Sequence, residues 1–151
     1  MLDLRTTHLF TITLAVGPIL NLGKGPTGER RVAIVTGGHF EGPRLKGTVT
    51  EGGSDWILVR PDATSLDVRL TLKTQDGHLI GMTYRGYRHG PADILERLNR
   101  GDAVEPSSYY FRIAPLFETG AEPYSWLNRI VAVGTGHRLP EGPVYDVYEV
   151  L

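Results

Sequence analysis

The sequence predicts an all-β fold, a single antiparallel β-barrel of about nine strands with one short helix covering an end. Nineteen glycines and ten prolines are spread evenly over 151 residues, which is typical of frequent turns between short strands. Apolar and polar residues alternate over many short stretches, as expected for strands with one buried face. We therefore expect one β-barrel domain over residues 1–151.

The predicted strands follow one another along nearly the whole chain. The first, HLFTITLAV, alternates from His8 to Val16, with Thr11 and Thr13 on the opposite face. Eight further candidates follow: RRVAIVTGG, KGTVTE, DWILVR, SLDVRLTLKT, HLIGMTYRGY, YYFRIAPLF, NRIVAVGTG and VYDVYEVL. Asp76-Gly77 lies between two β-rich stretches and favours a hairpin with a tight primed turn.

One segment, PADILERLNRG, has the pattern of a helix. It begins with Pro91, carries Asp93 in its first turn and has Arg97 near its end, before Gly101. Its apolar stripe is narrow, so we expect this helix to cover an end of the barrel rather than to cross it.

Composition excludes several classes of function. The net charge is −1 and the 16 Lys and Arg residues are scattered, so nucleic acid is not an expected partner. The absence of cysteine excludes disulfides, thiolate metal sites and a cysteine nucleophile. No stretch approaches the roughly 20 apolar residues of a membrane span, and the start does not resemble a signal peptide. We expect a cytoplasmic protein without a membrane partner.

Motifs for cofactors, metals and covalent catalysis fail in context. The stretch GKGPTG, residues 23–28, has the spacing of a dinucleotide fingerprint, but a predicted strand follows it where a helix is required, so we predict a loop. The five histidines are not spaced as metal ligands, and no Gly-x-Ser-x-Gly motif occurs. We therefore expect neither a cofactor nor a metal.

Charged and phenolic residues interrupt the apolar strands. In YYFRIAPLFE, Tyr110, Arg112 and Glu118 share one face, and Asp55 starts the strand DWILVR directly after a Gly-Gly turn. If these residues face inward, their charges must be paired, because each buried ion costs several kcal/mol. The candidate pairs join two arginines, Arg31 and Arg112, to three carboxylates, Asp55, Asp67 and Glu118. The alternative is that these residues face water.

Aromatic residues indicate two further parts of a pocket. Trp56, next to Asp55, is expected to wall a cavity inside the barrel. In EPYSWLNR, Tyr124 and Trp126 offer apolar surface with polar tips, and Asn128 offers both a donor and an acceptor. This second stretch fits either the wall of an apolar pocket or a packed loop that crosses the bottom of the barrel.

Several stretches together resemble a known family. RRVAIVTGGHFEGPRLKGTV, GGSDW, LDVRLTLKTQDG, YYFRIAPLFET and YSWLNRIVAVGTG occur in this order over nearly the whole chain. In this combination the sequence is similar to the bacterial and fungal family called domain of unknown function 3237, or uncharacterised protein family 0311. Ser54 is a mild variation on the small residue that usually precedes Asp-Trp. The resemblance implies a β-barrel with a central cavity, and some fungal relatives are thought to close rings by adding a hydroxyl across a double bond.

Two classes of function are consistent with these observations. The first is a cofactor-free enzyme that performs acid–base chemistry, such as isomerisation or intramolecular cyclisation, on an apolar or aromatic metabolite. Asp55 or Glu118 would be the base, and Tyr110 or Arg112 would stabilise an oxyanion. The expected substrate-binding residues are Trp56, Asp67, Arg31, Tyr124, Trp126 and Asn128. The second is a lipocalin-like protein that binds a small hydrophobic molecule without changing it.

A third hypothesis is a homo-oligomer. The C-terminal stretch VYDVYEVL is predicted to be a strand, and a strand at the edge of a sheet can pair with a neighbouring subunit.

Overall fold

The computed structural model describes residues 1–151 and shows a nine-stranded antiparallel sheet that closes into a ring. The strands are β1 (Thr6–Gly25), β2 (Gly28–Glu41), β3 (Lys46–Val49), β4 (Gly53–Val59), β5 (Thr64–Thr74), β6 (Leu79–His89), β7 (Tyr110–Glu118), β8 (Val131–Leu139) and β9 (Gly142–Val150). One α-helix, α1 (Ala92–Asn99), and two 3₁₀ helices, Pro106–Ser108 and Glu122–Arg129, complete the chain. The predicted all-β barrel class is confirmed.

The ring has eight positions although it contains nine strands. The order β1-β9-β8-β7-β6-β5 forms most of the wall, and β1 also pairs with β2. Strands β3 and β4 both lie between β2 and β5, β3 along one half of their length and β4 along the other. The predicted segments KGTVTE and DWILVR are therefore two parts of one interrupted wall strand.

The Gly-Gly pair before Asp55 marks this interruption. Gly52 has a φ of 108°, a conformation that glycine adopts without steric cost. A Cβ at Gly53 would come within 2.7 Å of the carbonyl oxygen of Arg69 on β5, so only glycine allows the two backbones to approach this closely. These glycines let β4 enter the wall with Asp55 facing the interior.

Two predicted turns differ from the structure. The Asp76-Gly77 hairpin is present, but only Gly77 has a positive φ, of 90°, whereas a type I′ turn needs two such residues. The turn is four residues long, and the backbone N–H of Thr74 donates to the carbonyl of His78 across it, at 2.8 Å. The stretch 23–28 is the tip of the long β1–β2 hairpin rather than an extended loop, because only Pro26 and Thr27 lie outside the strands.

The two ends of the barrel are built differently. At the end where β5 turns into β6, which we call the closed end, the rings of Phe10, Phe40 and Phe117 fill the interior, with centroids 5.4 and 5.9 Å from that of Phe10. The 3₁₀ helix Glu122–Arg129 covers this end through Leu127, which is buried. The opposite end, which we call the open end, carries the β4–β5 and β8–β9 turns.

Helix α1 lies at the open end. It follows Pro91 as predicted, carries Asp93 in its first turn, and ends before Arg100 and Gly101. Leu98 is its one buried residue and joins the barrel core. The prediction of a short helix covering an end is confirmed, and none of the helices is long and apolar enough to cross a bilayer.

The C-terminal strand is not an edge. β9 pairs with β1 on one side and with β8 on the other, so its backbone groups are used within the ring. The predicted route to a homo-oligomer through VYDVYEVL is therefore wrong. The outer half of β1, from Ile19 to Gly25, pairs with β2 on one side and not with β9 on the other.

Candidate functional site

A cavity of about 320 Å³ lies inside the open half of the barrel. The inward residues of β2 and β5 at this level, Ala33, Val35 and Val68, are much smaller than the phenylalanines of the closed end. On β8 a Cβ at Gly136 would come within 2.6 Å of the Phe111 ring, so glycine lets this ring lie against the wall. Most of the remaining lining is apolar, with Leu14, Val16, Ile19, Ile57, Leu66, Leu98, Leu139, Pro140 and Pro143.

Asp55 is the only acidic residue that lines the cavity. It is half-buried on the inner face of β4, between its register partners Ala33 on β2 and Val68 on β5. Its Oδ1 accepts a hydrogen bond from the backbone N–H of Asp67, at 3.2 Å. Burial raises the pKa of the Asp55 carboxyl to about 7, although this hydrogen bond and the charge of Arg88 oppose the rise. Near neutral pH, Asp55 can therefore both give and take a proton.

Two buried tyrosines form the floor of the cavity. The rings of Tyr84 on β6 and Tyr145 on β9 meet edge to face, with centroids 5.3 Å apart, and Phe111 packs on Tyr145 at the same distance. Burial raises the pKa of both phenols above the usual value, and the charge of Asp55 contributes to this. Both phenols therefore remain protonated at neutral pH, so a substrate oxygen could accept a hydrogen bond from them.

Two arginines face the cavity nearer its mouth. The guanidinium of Arg88 on β6 lies 5.3 Å from the centroid of the Phe111 ring, and burial lowers the pKa of Arg88 to about 10. Arg138 on β8 donates from Nη1 to Oδ1 of Asn99 at 2.8 Å, and its backbone N–H donates to the Tyr109 hydroxyl at 2.8 Å. Burial also lowers the pKa of Arg138. Both side chains nevertheless remain cationic at neutral pH.

Among the predicted site residues, only Asp55 lines this cavity. Of the two alternatives for Tyr110, Arg112 and Glu118, the one in which they face water matches the structure, because all three are exposed on the outer face of β7. Their proposed catalytic roles inside the barrel therefore do not match the structure. Arg112 lies 5.1 Å above the Tyr110 ring and donates to a backbone carbonyl rather than to a carboxylate. The inner face of β7 carries Phe111, Ile113, Pro115 and Phe117.

Trp56 and Asp67 also lie outside the barrel. Trp56 is 48% exposed, because side chains of adjacent strand residues point to opposite faces and Asp55 faces inward. The expectation that its indole walls the cavity is wrong. The Asp67 side chain is exposed and lies 3.8 Å from Arg85, so Asp67 contacts Asp55 through its backbone N–H alone.

Arg31 lies near the open end but is not among the residues that line the cavity. It pairs with Glu29, with 2.9 Å between Nη2 and Oε2, and not with any of the predicted carboxylates. After burial, which is the larger cause, the charge of Arg31 also lowers the pKa of Arg138.

The stretch EPYSWLNR lies at the closed end, away from the cavity. The Tyr124 hydroxyl donates to Oδ1 of Asp76 at 2.8 Å, and the Arg44 guanidinium lies 3.8 Å from the centroid of the Trp126 ring. Of the two interpretations of this stretch, the packed segment across the bottom of the barrel matches the structure and the pocket wall does not.

Asn128 fastens this segment to β7. Its Oδ1 accepts from the backbone N–H of Thr119 at 2.7 Å, and its Nδ2 donates to the Thr119 carbonyl at 2.9 Å. The Thr119 hydroxyl in turn donates to the carbonyl of Leu79, at 2.8 Å. Asn128 therefore has a structural role rather than the predicted place in a binding pocket.

Sequence reasoning missed six polar residues of the cavity: Tyr84, Arg88, Asn99, Arg100, Arg138 and Tyr145. A signal was present in HLIGMTYRGY, where Tyr84 and Arg88 share the face of Ile80 and Met82. An arginine at the end of an otherwise apolar strand face indicates that a charged group projects into the barrel at that end. Nowhere do three or more histidine, aspartate or glutamate side chains gather as they would to hold a metal ion.

Residues 4–150 match the family model described as "Protein of unknown function (DUF3237)". The UPF0311 protein RPA1785 of Rhodopseudomonas palustris is 36% identical over 149 residues, which are 98% of this chain and 97% of that protein. Its crystal structure superposes on this one with a TM-score of 0.95, and the superposition covers 100% of both chains. A β-barrel-like protein of Acinetobacter baumannii is 39% identical with a TM-score of 0.87, covering 100% of this chain and 98% of that one.

Fungal proteins are also similar to this chain. The hydroalkoxylation enzyme phnH of Penicillium herquei is 30% identical over 143 residues, which are 94% of this chain and 80% of that enzyme. The crystal structure of an enzyme from Penicillium herquei is 26% identical with a TM-score of 0.72, covering 99% of this chain and 94% of that one. The chain therefore belongs to the DUF3237, or UPF0311, family, as its combined sequence motifs indicated.

Proposed function

We propose that this protein is an enzyme that performs acid–base chemistry inside its barrel, closing a ring by adding a hydroxyl across a carbon–carbon double bond of an apolar or aromatic metabolite. The observation that carries the proposal is the position of Asp55, the single carboxyl in an otherwise largely apolar cavity, with a pKa of about 7. The name of the related fungal hydroalkoxylation enzyme is compatible with this reaction.

One carboxyl is sufficient for the proton balance of such an addition. Protonated Asp55 gives its proton to one alkene carbon, and the substrate hydroxyl oxygen forms a bond to the adjacent carbon. The hydroxyl then loses its proton to the Asp55 carboxylate, which restores the starting state. The addition is redox-neutral overall and needs no oxidant or reductant, and a pKa near the working pH suits a group that acts as acid and then as base.

The walls of the cavity favour this chemistry in two ways. The apolar lining around Leu66, Val68 and Phe111 holds an aromatic or isoprenoid body away from water, which prevents hydration of a reactive carbon. Tyr84 and Tyr145, which stay protonated, can orient a substrate oxygen beside Asp55. These contacts would fold a flexible alkenyl chain toward its own hydroxyl.

The proposal is tested in deuterium oxide with alkenyl phenols such as 2-(3-methylbut-2-enyl)phenol. Protonation of the alkene by the enzyme leaves one deuterium bound to carbon in the cyclised product, which stays after return to ordinary water. Mass spectrometry and proton NMR detect this product. We expect Asp55→Asn to slow its formation about 100-fold or more, since a positioned general acid–base contributes factors of this order.

Asp62→Asn is the matched control, because it removes the same charge from a β4–β5 turn where the side chain is 77% exposed. This variant should retain full activity. If all the alkenyl phenols bind tightly and are recovered unchanged, the proposed enzymatic activity is contradicted and the lipocalin-like alternative is favoured. Cyclisation that continues at the wild-type rate in Asp55→Asn would remove Asp55 from the mechanism.

A further inference from the structure

More basic than acidic side chains line the cavity. Asp55 is its only acidic residue, whereas Arg88, Arg100 and Arg138 are basic. Because the Asp55 pKa is about 7, its carboxyl is neutral in a large fraction of molecules at neutral pH. The cavity therefore carries excess positive charge.

Arg100 is the one of these arginines whose charge is already paired. Its Nη2 lies 2.9 Å from Oδ2 of Asp102, outside the cavity, and Asp102 also lies 4.0 Å from Nε of Arg97. The excess charge thus belongs to Arg88 and Arg138.

Neither Arg88 nor Arg138 forms an ion pair within 4.0 Å, and the acidic neighbour whose charge reaches Arg88 is Asp55. Every ion pair of the structure lies elsewhere. Arg88 is half-buried against the Phe111 ring, and Arg138 donates to Asn99, a neutral amide. Removing a guanidinium from water without an anionic partner is costly, so the ligand-free site is incomplete.

A carboxylate fits this incomplete site well. The guanidinium group forms paired, charge-assisted hydrogen bonds with the two oxygens of a carboxylate. An aromatic carboxylate is ionised at neutral pH without help from the protein, whereas a phenol, which ionises near pH 10, is not. The apolar wall next to Arg88, formed by Phe111, matches the ring that would carry the carboxylate.

We propose that Arg88 and Arg138 form an anion subsite at the mouth side of the cavity, and that the substrate is an aromatic or apolar molecule bearing a carboxylate. That the bound molecule is a substrate rests on the proposed function, whereas binding of an anion by the two arginines does not. The carboxylate binds at the arginines, and the reacting hydroxyl and alkene lie deeper, toward Asp55 and the two floor tyrosines.

The subsite is tested, without any turnover, by the binding of two probes of nearly equal shape at neutral pH. 2-Naphthoate carries a carboxylate, and 2-naphthamide replaces it with a neutral amide. In isothermal titration calorimetry with the full chain, we expect 2-naphthoate to bind at least about tenfold more tightly, as charge-assisted hydrogen bonds imply. Arg88→Gln and Arg138→Gln should each reduce this preference without weakening 2-naphthamide.

Arg85→Gln provides the matched control. Arg85 lies three residues before Arg88 on the same strand, but its side chain is 84% exposed on the outer face. The Arg85→Gln substitution removes the same charge and should leave the preference for 2-naphthoate over 2-naphthamide unchanged. Thermal unfolding verifies that each variant is folded. Equal affinity for the two probes, or an equal effect of Arg85→Gln and Arg88→Gln, would overturn the anion subsite.

The test also separates this inference from the proposed reaction. Asp55→Asn should bind 2-naphthoate at least as tightly as the wild type, because a carboxylate that repels the ligand has been removed. A wild-type protein that cyclises the phenols but does not prefer 2-naphthoate over 2-naphthamide would overturn only the subsite. Loss of cyclisation with the preference intact would overturn only the reaction.

Discussion

Replacing Asp55 by Asn should change how the stability of the protein depends on pH. Asn has nearly the shape of a protonated aspartate, and its Oδ1 can still accept the hydrogen bond from Asp67 N–H. The variant therefore keeps the packing of the cavity wall and removes only the ionisation of this residue.

The expected magnitude follows from the pKa of Asp55, which rises from 3.8 in its usual state to about 7 in the folded protein. Between these values the folded state holds a proton that the unfolded chain has released, so wild-type stability falls as pH rises through this window. A difference of roughly three pKa units at about 1.4 kcal/mol each sets a ceiling of about 4 kcal/mol. Because the carboxyl is only half-buried, we expect about 2–4 kcal/mol.

Urea unfolding followed by the fluorescence of Trp56 and Trp126 measures this effect. At about pH 4 the Asn variant and the wild type should be similarly stable, and near pH 8 the variant should be more stable by the amount given above. Asp62→Asn, at its exposed turn position, should show no such divergence. Unfolding free energies of Asp55→Asn and wild type that stay parallel over this pH range would refute the reasoning.

Three further changes test other parts of the structure. Asn128→Ala removes both hydrogen bonds to the backbone of Thr119 and should lower the unfolding free energy by about 1–2 kcal/mol, without changing 2-naphthoate affinity in calorimetry. Ala33→Leu should fill space beside Asp55 and weaken 2-naphthoate binding at least about tenfold, with stability within about 1.5 kcal/mol of wild type. Arg88→Met replaces an unpaired, half-buried cation with an apolar side chain and should raise the thermal midpoint of the ligand-free protein. Unchanged binding in Ala33→Leu, or a lower midpoint in Arg88→Met, would contradict the respective argument.

The architecture could be predicted because its determinants are local. Alternation within each strand, glycine and proline between strands, and the polarity of residues 91–101 are all properties of short stretches. They were sufficient to predict nine strands and helix α1. They were insufficient to show that β3 and β4 share one position in the ring, since that depends on pairing with β2 and β5.

The site was harder to predict because alternation shows which residues share a face but not which face is inside. On β7 the larger apolar set, which includes Phe111 and Phe117, faces the core, so Arg112 and Glu118 face water. The cavity also joins residues far apart in sequence, such as Asp55 on β4 and Arg138 on β8. Their proximity follows from ring closure and register, which no local pattern specifies.

The most direct test of the central claim, that the barrel holds a carboxyl titrating near neutrality, is a carbon-13 NMR titration of the Asp55 side chain. The Asp55→Asn spectrum assigns the signal. We predict a midpoint near pH 7, in keeping with the burial that raises its pKa. A midpoint near the usual 3.8 would show that Asp55 is an ordinary ionised aspartate and would contradict the proposed acid–base chemistry.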